Sequence, residues 1–238
     1  MDDLEETVPA ADTSHRRIDA DQWATIYVVG DVHGCRVELE TLLRTLDPAA
    51  DDLVVFVGDL IRKGPDSQGV VELVRGMENA MSVMGNNEPK LFRGDASLPA
   101  LTDADRAYLE SLPTVISWAG NAVVHGGVDP DRPLADHDAE DLRNMRNPRT
   151  GGDYDRPFWW EYYEGPPRVF FGHTPLEAPV YRPDAIGLDT GCVYGGSLTA
   201  YDTARDRFVN VPARETYQER DDDKTVSPLR TPDPQPDA

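Results

Sequence analysis

The sequence predicts an α/β fold: a parallel sheet covered by helices, with a second sheet packed on it. Three observations predict this. Between Thr25 and Met84, short apolar, β-branched runs alternate with amphipathic helical segments in the order β-α-β-α-β, a pattern that places parallel strands under covering helices. A second set of short strand-like runs, Val180-Tyr181, Ala185–Leu188, Ser197–Tyr201 and Arg207–Val211, follows in the C-terminal part and supplies the second sheet. Glycine-flanked blocks rich in Asp, His and Asn close the first three strands, at the position where open α/β sheets carry their chemistry.

Residues 1–22 are polar and acidic and read as a flexible N-terminal segment, with Met1 to Ser14 mobile and Ile18 and Trp23 the first anchors. A domain over residues 23–212 then begins with a strand at Thr25–Gly30. Cys35–Leu46 follows as a helix, with Val37, Leu39, Leu42, Leu43 and Leu46 giving its apolar face, and Pro48 stops it. Leu53–Val57 is the second strand. Asp66–Met77 is the second helix, with Asp66-Ser67 placed to cap it, and Ala80–Met84 is the third strand. A short helix is expected at Asn87–Arg93 and another from a Thr102 cap to Ser111. Val115–Trp118 and Ala122–Val124 pair across a turn at Gly120-Asn121. Asp138–Met145 reads as a short helix over the site. Asn147–Gly165 is an irregular excursion in which Phe158, Trp159, Trp160, Tyr162 and Tyr163 either pack on the core or form a stacking wall for an aromatic group. Arg168–Phe171 is another strand. Residues 213–238 read as a polar, disordered tail.

Composition narrows the function. The 238 residues hold enough apolar side chains for a sizeable core, 39% of the chain. No run reaches the length of a membrane span, and the acidic start Met1-Asp2-Asp3 is unlike a signal peptide, so a cytoplasmic location is expected. The two cysteines, Cys35 and Cys192, cannot build a disulfide framework and read as buried small residues. The net charge is −21, from 30 Asp and 14 Glu against 20 Arg and only 3 Lys. Acidity spread along the whole chain repels nucleic acid and anionic lipid, so neither stable nucleic-acid binding nor membrane binding is expected. Spread acidity with depleted lysine also resembles proteins of salt-loving microbes, and a halophilic archaeal source is expected.

The chemistry is concentrated in strand-end blocks. Three of the five histidines, His33, His125 and His173, lie in such glycine contexts, as do Asp31, Asp59 and Asn86. These residue types are hard or borderline ligands, suited to a pair of divalent transition metals. Asp59, in the middle block, is placed to bridge. Asp31 and His33 complete one metal, and Asn86, His125 and His173 the other. Imidazole ligands favour Mn, Fe, Zn, Co or Ni over Mg, with Mn the expected pair. A bridging water acidified by two cations could then attack phosphorus in line.

The blocks GDVHG, GDLIRKG, GNNE, VHGG and FGHTP resemble the calcineurin-like metallophosphoesterase superfamily and its phosphoprotein phosphatase branch. GDLIRKGPDS, the nearby GNNE and LDTGCVYGGSLTAY are most similar to the diadenosine tetraphosphatase-like phosphatases. The resemblance covers residues 25 to 211. It implies two packed mixed β-sheets flanked by helices, a bimetal centre, the six ligand roles above, and cleavage of a dinucleoside polyphosphate or related phosphoanhydride. Lys63 stands at a family phosphate-binding arginine, with Arg62 before it, and Arg146 rather than Arg143 falls in the region of a second one. Asp189 either orients a ligand histidine or caps a turn, and Tyr194 flanks the same glycine-rich segment. Two departures stand out. The family's leaving-group histidine is Asn87 here, and the aspartate that pairs with it is Arg62. An asparagine amide is no general acid near neutral pH, so acidic leaving groups should be favoured over the alkoxide of phosphoserine. The alternatives are a protein serine/threonine or tyrosine phosphatase acting on a phosphoprotein, and a degenerate phosphatase that only binds phosphate.

Overall fold

In the computed structural model, residues 13–150 and 154–228 are described. The expectations of mobility for residues 1–12 and of disorder for residues 229–238 lie outside them. Strands β1 (His15–Arg17), β2 (Thr25–Val29), β3 (Asp52–Phe56), β4 (Ala80–Ser82), β5 (Val115–Trp118), β6 (Asn121–Val123), β7 (Arg168–Phe171), β8 (Val180–Tyr181), β9 (Ala185–Gly187), β10 (Ser197–Asp202) and β11 (Arg207–Pro212) form two sheets. Their orders are β11-β10-β2-β3-β4 and β1-β5-β6-β7-β9-β8. Both are mixed. β2, β3 and β4 run parallel, and β10 joins them antiparallel through Ala200 opposite Val29. In the second sheet β6, β7 and β9 run parallel, with β5 and β8 antiparallel to their neighbours.

Helices α1 (Arg36–Leu46), α2 (Ser67–Gly76), α3 (Glu88–Phe92), α4 (Asp103–Glu110) and α5 (Ala139–Asn144) fall where the periodicity places them. Asp66 caps α2 by accepting from Gly69 N at 2.8 Å. Thr102 and Asp105 form a reciprocal capping box at the start of α4.

Residue parity along the strands explains the layers. Ile26, Val28, Leu53, Val55 and Val57 face Ile116, Val123, Phe170, Ile186 and Leu188 between the sheets. Tyr27, Val29, Val54 and Phe56 turn the other way, onto Leu39 and Leu42 of α1 and Val70, Val71 and Val74 of α2. Burial on both faces is why these strands read as continuous apolar runs. The outer face of the second sheet packs Val169 and Phe171 against Phe158, Trp159 and Trp160.

Three expectations need correction. β10 and β11 extend the first sheet, not the second. The N-terminal segment enters the fold before residue 23, because β1 pairs parallel with β5, His15 opposite Val115. Residues 213–228 are no free tail: Tyr217 Oη donates to the buried Glu38 at 2.8 Å, Tyr217 N and Gln218 N donate to Val193 O, and Val226 bridges Leu176. No helix among the described residues is long and apolar enough to cross a membrane.

Candidate metal centre and active site

Five loops meet at one end of the sandwich. Asp31 and His33 follow β2, Asp59 follows β3, Asn86 and Asn87 follow β4, His125 follows β6 and His173 follows β7. Both sheets therefore deliver candidate ligands from the C-terminal ends of parallel strands. Two glycines permit the closeness: a Cβ on Gly172 would overlap Asp31 Oδ1 and lie 2.7 Å from Val57 Cγ2, and one on Gly85 would overlap Asp59 Oδ1.

Asp59 is central. His33 Nε2 lies 3.4 Å from its Oδ2 and His125 Nε2 lies 3.5 Å from its Oδ1. Asn87 N donates to Oδ1 at 2.8 Å and Asn87 Nδ2 to Oδ2. Asp31 Oδ2 is 3.8 Å from His33 Nε2, and both Asp31 oxygens accept from His173 N at 3.2 Å. Asn86 Oδ1 accepts from Asn87 Nδ2 at 2.8 Å. Ligand atoms of Asp31, Asp59 and His125 all lie within 4.8 Å of one another. Of the two remaining histidines, His15 bonds Ser117 Oγ and His137 bonds Asp129 N and Pro133 O. Both are structural.

Burial and mutual charge set the protonation. Burial alone would raise Asp59, but His125 and His33 outweigh it and hold the carboxyl well below its usual range. Burial, then Asp189, raises Asp31 well above that range. Burial, then Lys63, lowers His33 to about 3; burial, then Arg146, holds His173 well below its ordinary value. His125 is opposite: burial would lower it, but Asp59 and Asp31 carry it to about 9.

Glu88 supports Asp59 from below. Its Oε1 accepts from Leu60 N at 2.9 Å, and its Oε2 from Gly85 N at 2.8 Å and Asp59 N at 3.3 Å. Burial and the neighbouring Asp59 charge raise its carboxyl to about 7.

A cavity of ≈270 Å³ opens over the centre and is lined by Asp59, Asn86, Asn87, His173, Lys63 and Arg146, together with Lys90, Tyr154, Pro175, Tyr194, Gln218 and Arg220. Lys63 Nζ bonds His33 Nε2 at 2.7 Å. Asn87 Oδ1 accepts from Arg62 Nη1 and, at 3.4 Å, from Lys90 Nζ. Arg146 donates to His173 O at 3.4 Å, whereas Arg143 turns to Glu140 and Met84 Sδ. Asp189 accepts from Gly191 N at 3.1 Å and so caps the turn. Phe158, Trp159 and Trp160 are buried, with Trp159 Nε1 donating to Gly126 O at 3.1 Å. They are packing, not a stacking wall. Sequence reasoning missed Lys90, Tyr154 and Arg220. Lysine scarcity could have pointed to Lys90, three residues after Asn87; Tyr154 and Arg220 carry no local signal.

A double-sheet sandwich with a strand-end set of carboxylates, imidazoles and amides defines a metal-dependent phosphoesterase. Residues 24–211 match the model of the calcineurin-like phosphoesterases, and the chain belongs to that family. It is 30% identical over 233 residues to the asymmetrical bis(5'-nucleosyl)-tetraphosphatase PrpE of Halalkalibacterium halodurans, across 79% of this chain and 94% of that one. It is 32% identical over 221 residues to serine/threonine-protein phosphatase 1 of Salmonella typhimurium, across 78% and 94%. The crystal structure of a putative diadenosine tetraphosphatase superposes with a TM-score of 0.74 at 33% identity, covering 84% of this chain and 98% of that one. The chain is a phosphoesterase enzyme, and its family works with two divalent cations. The residues present fit such a pair: the buried Nε2 atoms of His125 and His173 have no hydrogen-bond partner, and His125 Nδ1 bonds Val57 O at 2.8 Å, which fixes the ring with Nε2 turned to Asp59.

Proposed function

We propose that this enzyme cleaves a phosphoanhydride of a dinucleoside polyphosphate or related polyphosphate. Asp31, His33 and Asp59 would hold one cation, and Asp59, Asn86, His125 and His173 the other, with manganese the expected metal. When bound, the cations supply Lewis acidity toward the phosphoryl group and the attacking water. The chain's own groups do the rest. Lys63 and Arg146 face the cavity and bind phosphoryl oxygens, Lys63 as a point charge and Arg146 as a fork. Arg62 and Lys90 aim at Asn87.

One observation carries the choice of substrate. Asn87 fills the leaving-group position with its amide donating to Asp59 and its carbonyl tied to Arg62 and Lys90. The amide carries no titratable proton to give, so a departing phosphate or nucleotide, already a weak base, is favoured over a serine alkoxide. The tetraphosphatase relatives support the same reading. Likeness to a protein phosphatase supports a second one, dephosphorylation of a phosphoprotein. The spread negative charge fits work in a salty cytoplasm, where screening lets a polyanion approach.

Hydrolysis of diadenosine tetraphosphate, inorganic polyphosphate, a nucleoside triphosphate, a phosphoserine peptide and a phosphotyrosine peptide, at high salt with manganese, tests the proposal. An anhydride should give the highest kcat/KM, and Asp59→Asn should abolish it. A higher kcat/KM on a phosphopeptide would make the enzyme a protein phosphatase. Bound metal without turnover of any compound would make it a phosphate-binding module.

A further inference from the structure

The cationic wall of the cavity continues past Lys63 and Arg146 onto a segment outside the family match. Residues 213–228 follow the matched region, which ends at 211, and return across the mouth of the site. Glu38 holds this strap from below through Arg214 N at 2.9 Å and Tyr217 Oη at 2.8 Å. Three residues beyond Tyr217, Arg220 enters the cavity wall.

Its guanidinium is fixed in place. It lies 4.7 Å from the centre of the Tyr194 ring and 5.5 Å from that of Tyr154. Nη2 donates to Tyr154 Oη at 2.6 Å, and Nε to Lys224 O at 3.0 Å. The other faces of this arrangement carry further cations: Lys63 sits 5.3 Å from the Tyr194 ring and Arg146 4.8 Å from the Tyr154 ring. Two tyrosines thus link Lys63, Arg220 and Arg146 into an arc around one opening. None of the three makes an ion pair with a carboxylate at 4.0 Å or less among the described residues, although the chain carries 44 acidic groups against 23 basic ones. Three cations around one opening, with the carboxylates of Asp59 and Asp189 acting on Lys63 only through space, favour an anion larger than one phosphate. A second cavity of ≈450 Å³ shares Tyr194, Gln218 and Arg220 with the first, and Glu219, Asp221 and Lys224 complete its lining, with Lys224 ion-paired to Asp221 at 2.6 Å, so Arg220 is its one cation without a carboxylate contact.

We propose that Arg220 and the cavity it borders form a distal-phosphate subsite that grips the phosphoanhydride chain beyond the phosphoryl group being cleaved. This deepens the polyphosphate reading above and rests on it for the identity of the reacting bond. The subsite selects by chain length: a monoester or orthophosphate does not reach it, and a chain of three or more phosphates does. Two of the five guanidinium N–H groups are used in the bonds just described, so a planar fork remains for phosphate oxygens.

The test compares inhibition constants for inorganic tripolyphosphate and orthophosphate, each against p-nitrophenyl phosphate hydrolysis by the manganese-loaded enzyme. Manganese is held in excess so that chelation is equal for every protein. In the wild type tripolyphosphate should bind tighter than orthophosphate. Arg220→Gln should shrink that selectivity ratio by about tenfold, the worth of one charge-assisted contact, and Arg220→Lys should restore part of it. A ratio within twofold of wild type in Arg220→Gln, or an equal loss on both inhibitors, overturns the subsite. Diadenosine tetraphosphate is assayed separately. If it is not cleaved and the tripolyphosphate ratio still falls in Arg220→Gln, the dinucleotide reading fails and the subsite stands.

Discussion

Replacing Glu88 by glutamine tests how the central carboxylate is held. Glu88 offers two oxygens to three buried backbone donors, Leu60 N on one side and Gly85 N and Asp59 N on the other. Glutamine keeps one acceptor oxygen. The amide will orient that oxygen toward Gly85 and Asp59, which leaves its NH2 facing Leu60 N. One hydrogen bond to a carboxylate is lost, at about 1.5–3 kcal/mol, and two donors are left facing each other in a buried place, at about 1–3 kcal/mol more. A loss of about 3–5 kcal/mol follows, or about 6–20 °C in Tm for a domain of this size. Asp59 also sits at φ 51°, a conformation these bonds hold. Loosening it should weaken metal affinity about tenfold or more, as when partners of ligand groups are removed. Thermal unfolding at pH 8 and manganese titration by calorimetry provide the readouts. If Glu88→Gln melts within 2 °C of wild type, the view that Glu88 organises the loop is refuted. If it melts early but binds manganese unchanged, Glu88 serves the fold and not the centre.

Other outcomes follow from the same geometry. Gly172→Ala places a methyl group in contact with Asp31 Oδ1 and Val57 Cγ2. It should cut manganese affinity and kcat together by about tenfold or more, with a smaller effect on Tm, and equal activity would show that the loop yields freely. Asp105→Ala removes the capping box of α4 and should cost about 1–2 kcal/mol at neutral pH. Burial would raise the Asp105 carboxyl, but bonds from Thr102 and the charge of Arg75 outweigh it and lower its pKa. Its stabilisation is therefore complete above the ordinary aspartate value of about 4 and is lost as pH falls through the lower folded value. The gap in Tm between wild type and Asp105→Ala should close in that acid range, and a gap constant with pH would count against the charge.

The sequence showed the parts of the centre that depend on local order. A buried parallel strand needs a continuous apolar run, and the chain can turn into the site after it only with glycine or a small polar residue. The blocks after β2, β3, β4, β6 and β7 therefore stood out. Helix caps at Asp66 and Thr102 were legible for the same reason, since a cap is a relation between residues three apart. Sheet membership is a relation between distant residues. β10 pairs with β2, more than 170 positions away (Asp202 opposite Tyr27), and nothing in Ser197–Asp202 names its neighbour. The strap was misread because its attachment rests on a few contacts, chiefly Tyr217 with Glu38 and Val226 beside Leu176. A polar stretch with one tyrosine and one valine in place has the composition of a tail. β1 was missed similarly: His-Arg-Arg has no apolar alternation, and the backbone bonds to β5 hold it.

The centre is also where the backbone is least comfortable. Seven non-glycine residues among those described have positive φ, and five of them are His33, Asp59, Arg62, Lys63 and His173. The other two, Asp47 and Asp206, end α1 and turn the β10–β11 hairpin, where a left-handed aspartate is ordinary. Each of the five costs of order 1 kcal/mol or more, and such conformations persist only where the surroundings over-determine them. Here the surroundings are hydrogen bonds between the loops themselves. His33 N donates to Asp59 O at 2.8 Å, Gly34 N to Leu60 O at 2.9 Å, and Gly64 N to His33 O at 2.8 Å, while Glu88 holds the loop after β3. The loops after β2 and β3 are thus one unit, clamped across a parallel strand pair whose cores are buried on both faces. That arrangement explains how two carboxylates and three imidazoles stay together in a chain of net charge −21. Rigid strands fix where the loops leave, mutual backbone bonds fix how they turn, and the ligand groups cannot separate to relieve their repulsion. The same rigidity holds Lys63 against Tyr194, so the positive arc and the ligand cluster are set at a constant offset. On the subsite proposed above, that offset sets the length of phosphate chain that the enzyme would select.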